Sequence, residues 1–307
     1  MQLAVTEAGP SDAPAVHRVI HEAFAARPRL DPPAPALAET VESVRAALAG
    51  HGGLLCTVDG DPAGALLLDP DGRVMWLRRV AVEPRYHKHG IASALVAYAE
   101  DLAAARGFAI VRIVARAELP DTVRFWRHRG FLDESATGTS LVLARPLPVD
   151  VEVPSAHDMR ALGVRLAALT DPGDVLLLTG DLGAGKTTLV QGIAAGLDVR
   201  GQVTSPTFVI ARVHRPRGEG PALVHVDAYR LGGVAEVDDL DLDAALDESV
   251  TVIEWGAGLV EDLADDRLEV AITRPSGDES GDTRRVRVEA VGARWRDAEL
   301  RALLPSA

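Results

Sequence analysis

A chain of 307 residues with 47% hydrophobic side chains has length for about two domains and apolar material for two cores, which excludes wholesale disorder. The single cysteine, Cys56, excludes a disulfide framework and a cysteine metal cluster, and is expected as core filler in a strand. The net charge of −13 is lopsided: residues 1–150 carry 16 basic and 18 acidic side chains and residues 151–307 carry 16 and 27, so the second half is a poor candidate to grip nucleic acid unaided.

In chain order, Gln2–Ala8 alternates like an edge strand, and Ser11 stands as N-cap before a helix over Ala13–Ala26. Pro28–Pro35 reads as a loop and Ala36–Ala49 as a helix. Strands follow at Gly53–Val58, Gly64–Asp69 and Val74–Val82, punctuated by Asp59-Gly60 and Asp71-Gly72 turns. Gly90–Arg106 is predicted helical, Phe108–Val114 a strand, Asp121–Arg129 a short helix and Thr139–Ala144 a closing strand. Arg145-Pro-Leu-Pro148 reads as a linker, because two prolines in four residues suit neither helix nor sheet. No apolar run reaches membrane-spanning length and no basic-then-apolar leader opens the chain, so a soluble cytoplasmic protein without membrane association is expected.

The second half restarts the pattern with a strand at Val151–Val153 and a helix at Ala156–Leu169. Then comes Gly180-Asp-Leu-Gly-Ala-Gly-Lys-Thr-Thr188, which fits G-x-x-x-x-G-K-[ST] on Gly180, Gly185, Lys186 and Thr187. A short apolar strand, Val175–Thr179, precedes it, and Leu189–Leu197 has helical spacing after it. In that context the loop's N–H groups and the helix N-terminus are expected to cradle a phosphate, with Lys186 reaching the β- and γ-phosphates and the Thr187 hydroxyl on Mg²⁺. The chain has only two lysines, Lys88 and Lys186, among 32 basic residues, so lysine stands where a compact charge suits phosphate. Two apolar strands end in carboxylates, Ala222–Asp227 and Val250–Glu254. In an open α/β sheet such ends meet at one crevice, and two acids beside a triphosphate call for Mg²⁺ between them. Each acid alone can also be a simple strand end. Val203-Thr-Ser-Pro-Thr-Phe208 reads either as a switch sensing the γ-phosphate or as a plain Ser/Pro turn. The acidic run Glu236–Glu248 is expected as a solvated helix with one buried face. Strands resume from Asp265, with Pro275–Asp282 an exposed loop.

The segments GDLGAGKTT, VTSPTF, VHVDAYRL and VIEW, in this order across roughly residues 152–290, resemble the TsaE family, small ATPases of bacterial tRNA threonylcarbamoyladenosine synthesis. The resemblance implies ATP held by Asp181, Gly183, Ala184, Gly185, Lys186, Thr187 and Thr188, with Ser205 and Thr207 as the switch. It implies Mg²⁺ at Thr187 and Glu254, Asp227 assisting metal or water positioning, and Trp255 serving catalysis or partner contact. It also implies TsaB and TsaD as partners, with tRNA reached through them. Three positions depart from the family: Met159 where a base-proximal Thr is usual, Gly256 where a proline follows Glu-Trp, and a missing tyrosine after the switch.

Residues 1–147 resemble GNAT-type N-acetyltransferases through Val80-Ala-Val-Glu-Pro-Arg-Tyr-His-Lys-His-Gly-Ile-Ala92 and the later Phe125–Phe131 segment. The family pattern Q/R-x-x-G-x-G/A reads His87-Lys-His-Gly90-Ile-Ala92 here, so its opening residue is off-pattern. The resemblance implies acetyl-CoA held by Val82, His87, Lys88, Gly90, Ile91 and Ala92. Trp126 stands where many relatives place a tyrosine as general acid, and no base stands out: Glu83 near the coenzyme strand and Glu118 at a strand end read either as candidate bases or as solvated side chains.

The expected architecture is therefore α/β in two domains, a GNAT-like mixed sheet over 1–147 and a P-loop NTPase-like sheet over 148–307. Two other readings compete. One is a small-molecule kinase, whose lid would draw on Arg212, Arg215 and Arg217; the other is a scaffold with an inactive acetyltransferase fold. A guanine-nucleotide switch is disfavoured because no N-K-x-D motif occurs. His17, His21, His157 and His214 show no metal-ligand spacing and read as fillers, and Trp76 as core.

Overall fold

The computed structural model describes residues 2–206, 211–230, 248–256, 264–274, 282–296 and 300–303. The chain divides into two compact units, Met1–Leu147 and Pro148–Ala307, each α/β and each with its own sheet of seven described strands.

In the first unit β1 (Leu3–Ala8), β2 (Gly53–Val58), β3 (Asp61–Asp71) and β4 (Val74–Val82) form an antiparallel meander. β5 (Ile110–Arg116) joins β4 in parallel, and β6 (Leu132–Thr137) and β7 (Ser140–Pro146) complete the order β1-β2-β3-β4-β5-β7-β6. Leu54, Cys56, Leu66 and Leu68 share a core with α3 (Ile91–Ala105) and α4 (Pro120–His128). Leu55, Ala65, Leu67 and Ala81 share the other with α1 (Ala13–Ala25) and α2 (Val41–His51). Both faces are covered, which is why the central strands read as nearly continuous apolar runs. β4 and β5 pair only over Val74–Trp76 and Ile110–Arg112. Before its end β4 carries a bulge, with Arg79 at φ 56°. The last residues of β4 therefore have a partner on one side and a gap on the other.

Several expectations shift. The helix predicted from Ala36 begins at Val41, because the Thr40 hydroxyl accepts the Ser43 N–H and caps it there; Pro35–Ala38 is a separate 3₁₀ turn. Ser11 lies inside the 3₁₀ turn Pro10–Asp12, and Asp12 is the residue that precedes α1. The predicted linker shrinks: Arg145 and Pro146 finish β7, where an end position tolerates proline, and Val149 already begins the next strand. Trp76 is half-buried under the guanidinium groups of Arg78 and Arg112, at 4.3 and 5.8 Å from its ring, and is not a core residue. β6 is too polar to stand out by alternation.

The second unit contains β8 (Val149–Val153), α5 (Ala156–Ala167), β9 (Val175–Thr179), α6 (Lys186–Gly196), β10 (Ala211–His214), β11 (Ala222–Asp227), β12 (Ser249–Glu254), β13 (Arg267–Thr273) and β14 (Arg284–Val291). Its order is β10-β11-β12-β9-β13-β14-β8, with β11, β12, β9 and β13 parallel and the remaining pairings antiparallel. Leu176, Leu178, Leu223, Val250, Val252 and Val270 pack under α5 and α6. The two helices cross through glycine: a Cβ at Gly163 would lie 2.4 Å from Leu189 O, and one at Gly192 would lie 2.2 Å from Arg160 O. Thr207, most of the acidic run Glu236–Glu248 and most of the Pro275–Asp282 loop lie outside the described residues.

Candidate functional sites

The sheet register of the second unit builds its site. Asp227 stands opposite Glu254, and Glu254 stands opposite Leu178, one residue before the end of β9. Three adjacent parallel strands thus end together, and β9 runs straight into Gly180–Gly185. Gly185, at φ 118°, turns the chain into α6, a conformation that only glycine reaches without strain. Ala184 is buried and its N–H closes back on Asp181 O, while Asp181 and Gly183 are exposed. Thr187 and Thr188 lie half-buried in the first turn of the helix. Two arginines hold the loop from the β13–β14 side: Arg274 donates to Gly183 O at 3.1 Å and Arg284 Nε to Ala184 O at 3.2 Å. Sequence reading missed both. The order of the chain carries no signal for them, since only the pairing of β13 with β9 shows that the end of β13 flanks the loop.

Lys186 is 5% exposed. Its Nζ donates to Gly180 O at 2.7 Å and Asp181 O at 3.1 Å, and sits 3.6 Å from the centroid of the Trp255 ring. Burial pushes the ammonium below its ordinary pKa, while Glu254, Asp227 and Asp181 pull it back up. Trp255 itself is left-handed at φ 63°, a strained setting for a bulky side chain. Its N–H reaches Leu178 O at 3.2 Å, and Tyr229 packs edge-on at 5.2 Å between ring centroids.

Two hydroxyl–carboxylate pairs complete the cluster. Thr187 Oγ1 donates to Glu254 Oε1 at 3.1 Å, and Ser205 Oγ donates to Asp227 Oδ2 at 2.8 Å. Asp227 and Glu254 are each 3% exposed. Asp227 Oδ1 also accepts the Tyr229 N–H at 3.1 Å. Because the Thr187 hydroxyl donates to an acid, its oxygen can still offer a lone pair. Together these are hard oxygen donors of the kind Mg²⁺ takes, so the residues fit such an ion. Among the described residues no three His, Cys, Asp or Glu side chains gather as a metal cluster; a phosphate-bound Mg²⁺ uses only one or two protein carboxylates. His225, which sequence reading passed over, is fully buried and donates from Nε2 to Glu254 Oε1 at 2.9 Å. Met159 lies in the core, its methyl 3.3 Å from where a Gly185 Cβ would stand. Arg212 reaches Thr204 at 3.4 Å and Arg217 pairs with Asp198 at 3.6 Å, so these two arginines of the kinase reading have local partners.

In the first unit the residues expected to hold a coenzyme cluster at the end of β4. Val82 O accepts from His87 Nε2 at 3.2 Å, and exposed Lys88 and Gly90 are both left-handed, at φ 65° and 77°. Gly90 precedes α3 with no side-chain cap, so the first N–H groups of that helix lack a capping partner. Ile91 is buried in the core, so only its backbone is offered there; Ala92 is half-buried. Neither candidate base is free. Glu83 is 2% exposed, with Oε2 accepting from Arg85 at 2.7 Å and Arg18 at 3.6 Å from Oε1. Glu118 takes both prongs of Arg116 at 2.9 and 2.8 Å, which holds its carboxyl below the ordinary range. Trp126 is a core residue, edge-on to Phe125 and Phe131 at 5.1 and 4.9 Å.

Among the described residues no helix is long and apolar enough to cross a membrane. Comparison with known proteins separates the two halves. Residues 17–131 match the model of the acetyltransferase (GNAT) family, and residues 153–286 match that of the threonylcarbamoyl adenosine biosynthesis protein TsaE. The tRNA threonylcarbamoyladenosine biosynthesis protein TsaE of Streptomyces coelicolor is 58% identical over 146 residues, covering 47% of this chain and 99% of that protein. The crystal structure of YdiB from Bacillus subtilis aligns at 33% identity over 47% of this chain and 86% of its own, with a TM-score of 0.38. A Thermoplasma acidophilum N-acetyltransferase, PaiA, solved with coenzyme A, aligns at 16% identity over 48% of this chain and 99% of its own, with a TM-score of 0.44. The chain belongs to the TsaE family through its second half and carries a GNAT acetyltransferase-family domain ahead of it.

Proposed function

We propose that the second unit is a Mg²⁺-dependent ATPase that serves tRNA N6-threonylcarbamoyladenosine formation next to the anticodon, working in the cytoplasm with TsaB and TsaD. The observation that carries this reading is the convergence of Lys186 with the Thr187–Glu254 and Ser205–Asp227 pairs at three adjoining strand ends. Lys186 rests on two carbonyls and a ring face, each a weaker partner for an ammonium than phosphate oxygen. A triphosphate entering the loop would take over that charge and the backbone N–H groups of Asp181, Gly183, Gly185, Thr187 and Thr188, with Ala184 behind them. Thr187, Glu254 and Asp227 would hold Mg²⁺. When bound, Mg²⁺ supplies charge to the phosphate oxygens and orients them. Asp227 holds Ser205, and Ser205 with Thr207 is proposed as the switch. Trp255 shields Lys186 from water on one side. The strong negative charge of this half fits a role in which tRNA is held by the partners.

For the first unit we propose acetyl-CoA binding at the end of β4, with the pyrophosphate on the backbone N–H groups that follow Gly90 and with Val82, His87, Lys88, Ile91 and Ala92 around it. Saturable binding of acetyl-CoA to the full chain by calorimetry is expected, and its absence would favour the scaffold reading of this unit.

The deciding experiment is ATP hydrolysis by the purified chain, alone and with TsaB, TsaD and tRNA, with and without Mg²⁺. Stimulation by the partners together with multiple turnovers of threonylcarbamoyl transfer is the expected result. Hydrolysis that neither Mg²⁺ nor the partners change would count against the proposal.

A further inference from the structure

We infer that His225 is a positioning residue for Glu254, an inference that rests on the reading of this site as a Mg²⁺-dependent ATPase. His225 lies on β11 opposite Val252, so Glu254, two residues further along β12, points from the same face of the sheet. The imidazole spans that diagonal and donates from Nε2 to Glu254 Oε1 at 2.9 Å. An ionised carboxylate only accepts, so Nε2 carries the hydrogen. The Thr187 hydroxyl donates to the same oxygen at 3.1 Å and stands 3.5 Å from Oε2. Oε1 is thereby occupied by two donors, and Oε2 is the oxygen left with capacity for a further ligand.

The rest of the ring argues that this bond is the purpose of the side chain. His225 is 0% exposed, and its Nδ1 is buried with no hydrogen-bond partner. Leaving a buried polar atom unpaired is costly, and an apolar side chain of similar size would fill the space without that cost. What imidazole adds at this position is one donor aimed at Glu254. That donor comes from within a strand paired on both sides, whereas Thr187 comes from the first turn of α6, next to the loop that must accommodate the nucleotide. His225 therefore fixes the carboxylate independently of the loop, in the way that residues behind a metal ligand orient it.

The test compares the full-length wild-type chain with His225→Leu, which removes the donor, and His225→Gln, whose amide nitrogen lies the same number of bonds from Cα as Nε2. Calorimetry measures ATP affinity with the metal chelated and again across a Mg²⁺ titration; steady-state assays give kcat and KM. For His225→Leu the metal-free affinity is expected to stay near wild type. The Mg²⁺ midpoint is expected to rise and kcat to fall, each by about 10–100-fold, with little change in KM. His225→Gln is expected to recover most of both. If His225→Leu does not fold, His225→Asn, whose amide falls one carbon short, provides the same contrast with Gln. A wild-type Mg²⁺ response in the Leu or Asn variant overturns the inference, as does a Gln variant no better than they are, or equal losses with and without Mg²⁺. Those outcomes leave the ATPase reading intact, whereas a wild-type chain that neither binds nor hydrolyses ATP with Mg²⁺ overturns both.

Discussion

Lys186 keeps a charge where water scarcely reaches it, held by two carbonyls and an indole face. Its loss by Lys186→Ala removes a charge-assisted contact to phosphate worth about 1.5–3 kcal/mol, so ATP binding is expected to weaken by roughly 10–100-fold. Glu254→Ala acts on a different step: ATP binding is expected to persist while Mg²⁺-dependent hydrolysis falls by roughly 100-fold. Calorimetry beside a phosphate-release assay checks both, and unchanged hydrolysis in the Glu254 variant would refute its metal role. His214 makes a prediction about pH. Burial, and then the neighbouring His225, hold its pKa below the ordinary value of about 6.5, and its Nε2 has no hydrogen-bond partner. The unfolded chain thus takes up the proton first as pH falls, so stability is full above pH about 6.5 and is lost progressively below it. Thermal midpoints between pH 8 and 5.5 are expected to fall more steeply for wild type than for His214→Leu; parallel curves would show that His214 contributes nothing. Lys186 and Thr187 stood out in the sequence through the phosphate-loop spacing, and Asp227 and Glu254 as carboxylates closing apolar strands. His225, Arg274 and Arg284 did not, because each acts through a neighbouring strand whose register only the folded sheet reveals.

At the scale of elements, the crossing of α5 and α6 carries the phosphate loop. Gly192→Ala places a methyl 2.2 Å from the Arg160 carbonyl oxygen, backbone against backbone, so the helices must separate. A loss of about 1–3 kcal/mol is expected from such overpacking. Gly50→Ala is the contrast: it is exposed near the end of α2, with nothing within 4 Å of the new Cβ, and is expected to stabilise by about 0.5–1 kcal/mol. Urea denaturation of the two variants checks both signs, and a neutral Gly192→Ala would mean that the crossing relaxes freely. The central strands β2, β9, β11 and β12 were legible because burial on both faces writes nearly continuous apolar runs. The start of α2 was not, since Ala36–Ala38 has helical composition and only the Thr40–Ser43 cap moves the boundary. β6 escaped because it is a polar edge strand with intermediate or exposed side chains throughout. The parting of β4 from β5 was also hidden, because it depends on pairing that stops after three residues.

At the scale of the whole molecule, the question is whether the two families share one chain for a structural reason or for a functional one. Each unit has a sheet and cores of its own: one is built around Leu54, Leu66, Leu95 and Ile113, the other around Leu162, Leu176, Leu189 and Val252. Each also keeps its candidate site within its own elements, the end of β4 in one and the ends of β9, β11 and β12 in the other. A unit with its own core is able to fold alone. Residues 148–307 expressed alone are therefore expected to bind ATP with an affinity within about twofold of the full chain, and residues 1–147 to keep acetyl-CoA binding to the same degree. Hydrolysis stimulated by TsaB and TsaD is then the discriminating measurement. If the separated ATPase half responds to its partners as the full chain does, fusion serves co-production or co-localisation, and the two chemistries are independent. If stimulation is lost from the half that still binds ATP normally, the acetyltransferase-family domain takes part in engaging the partners, and acetyl-CoA added to the full chain becomes the next variable to test.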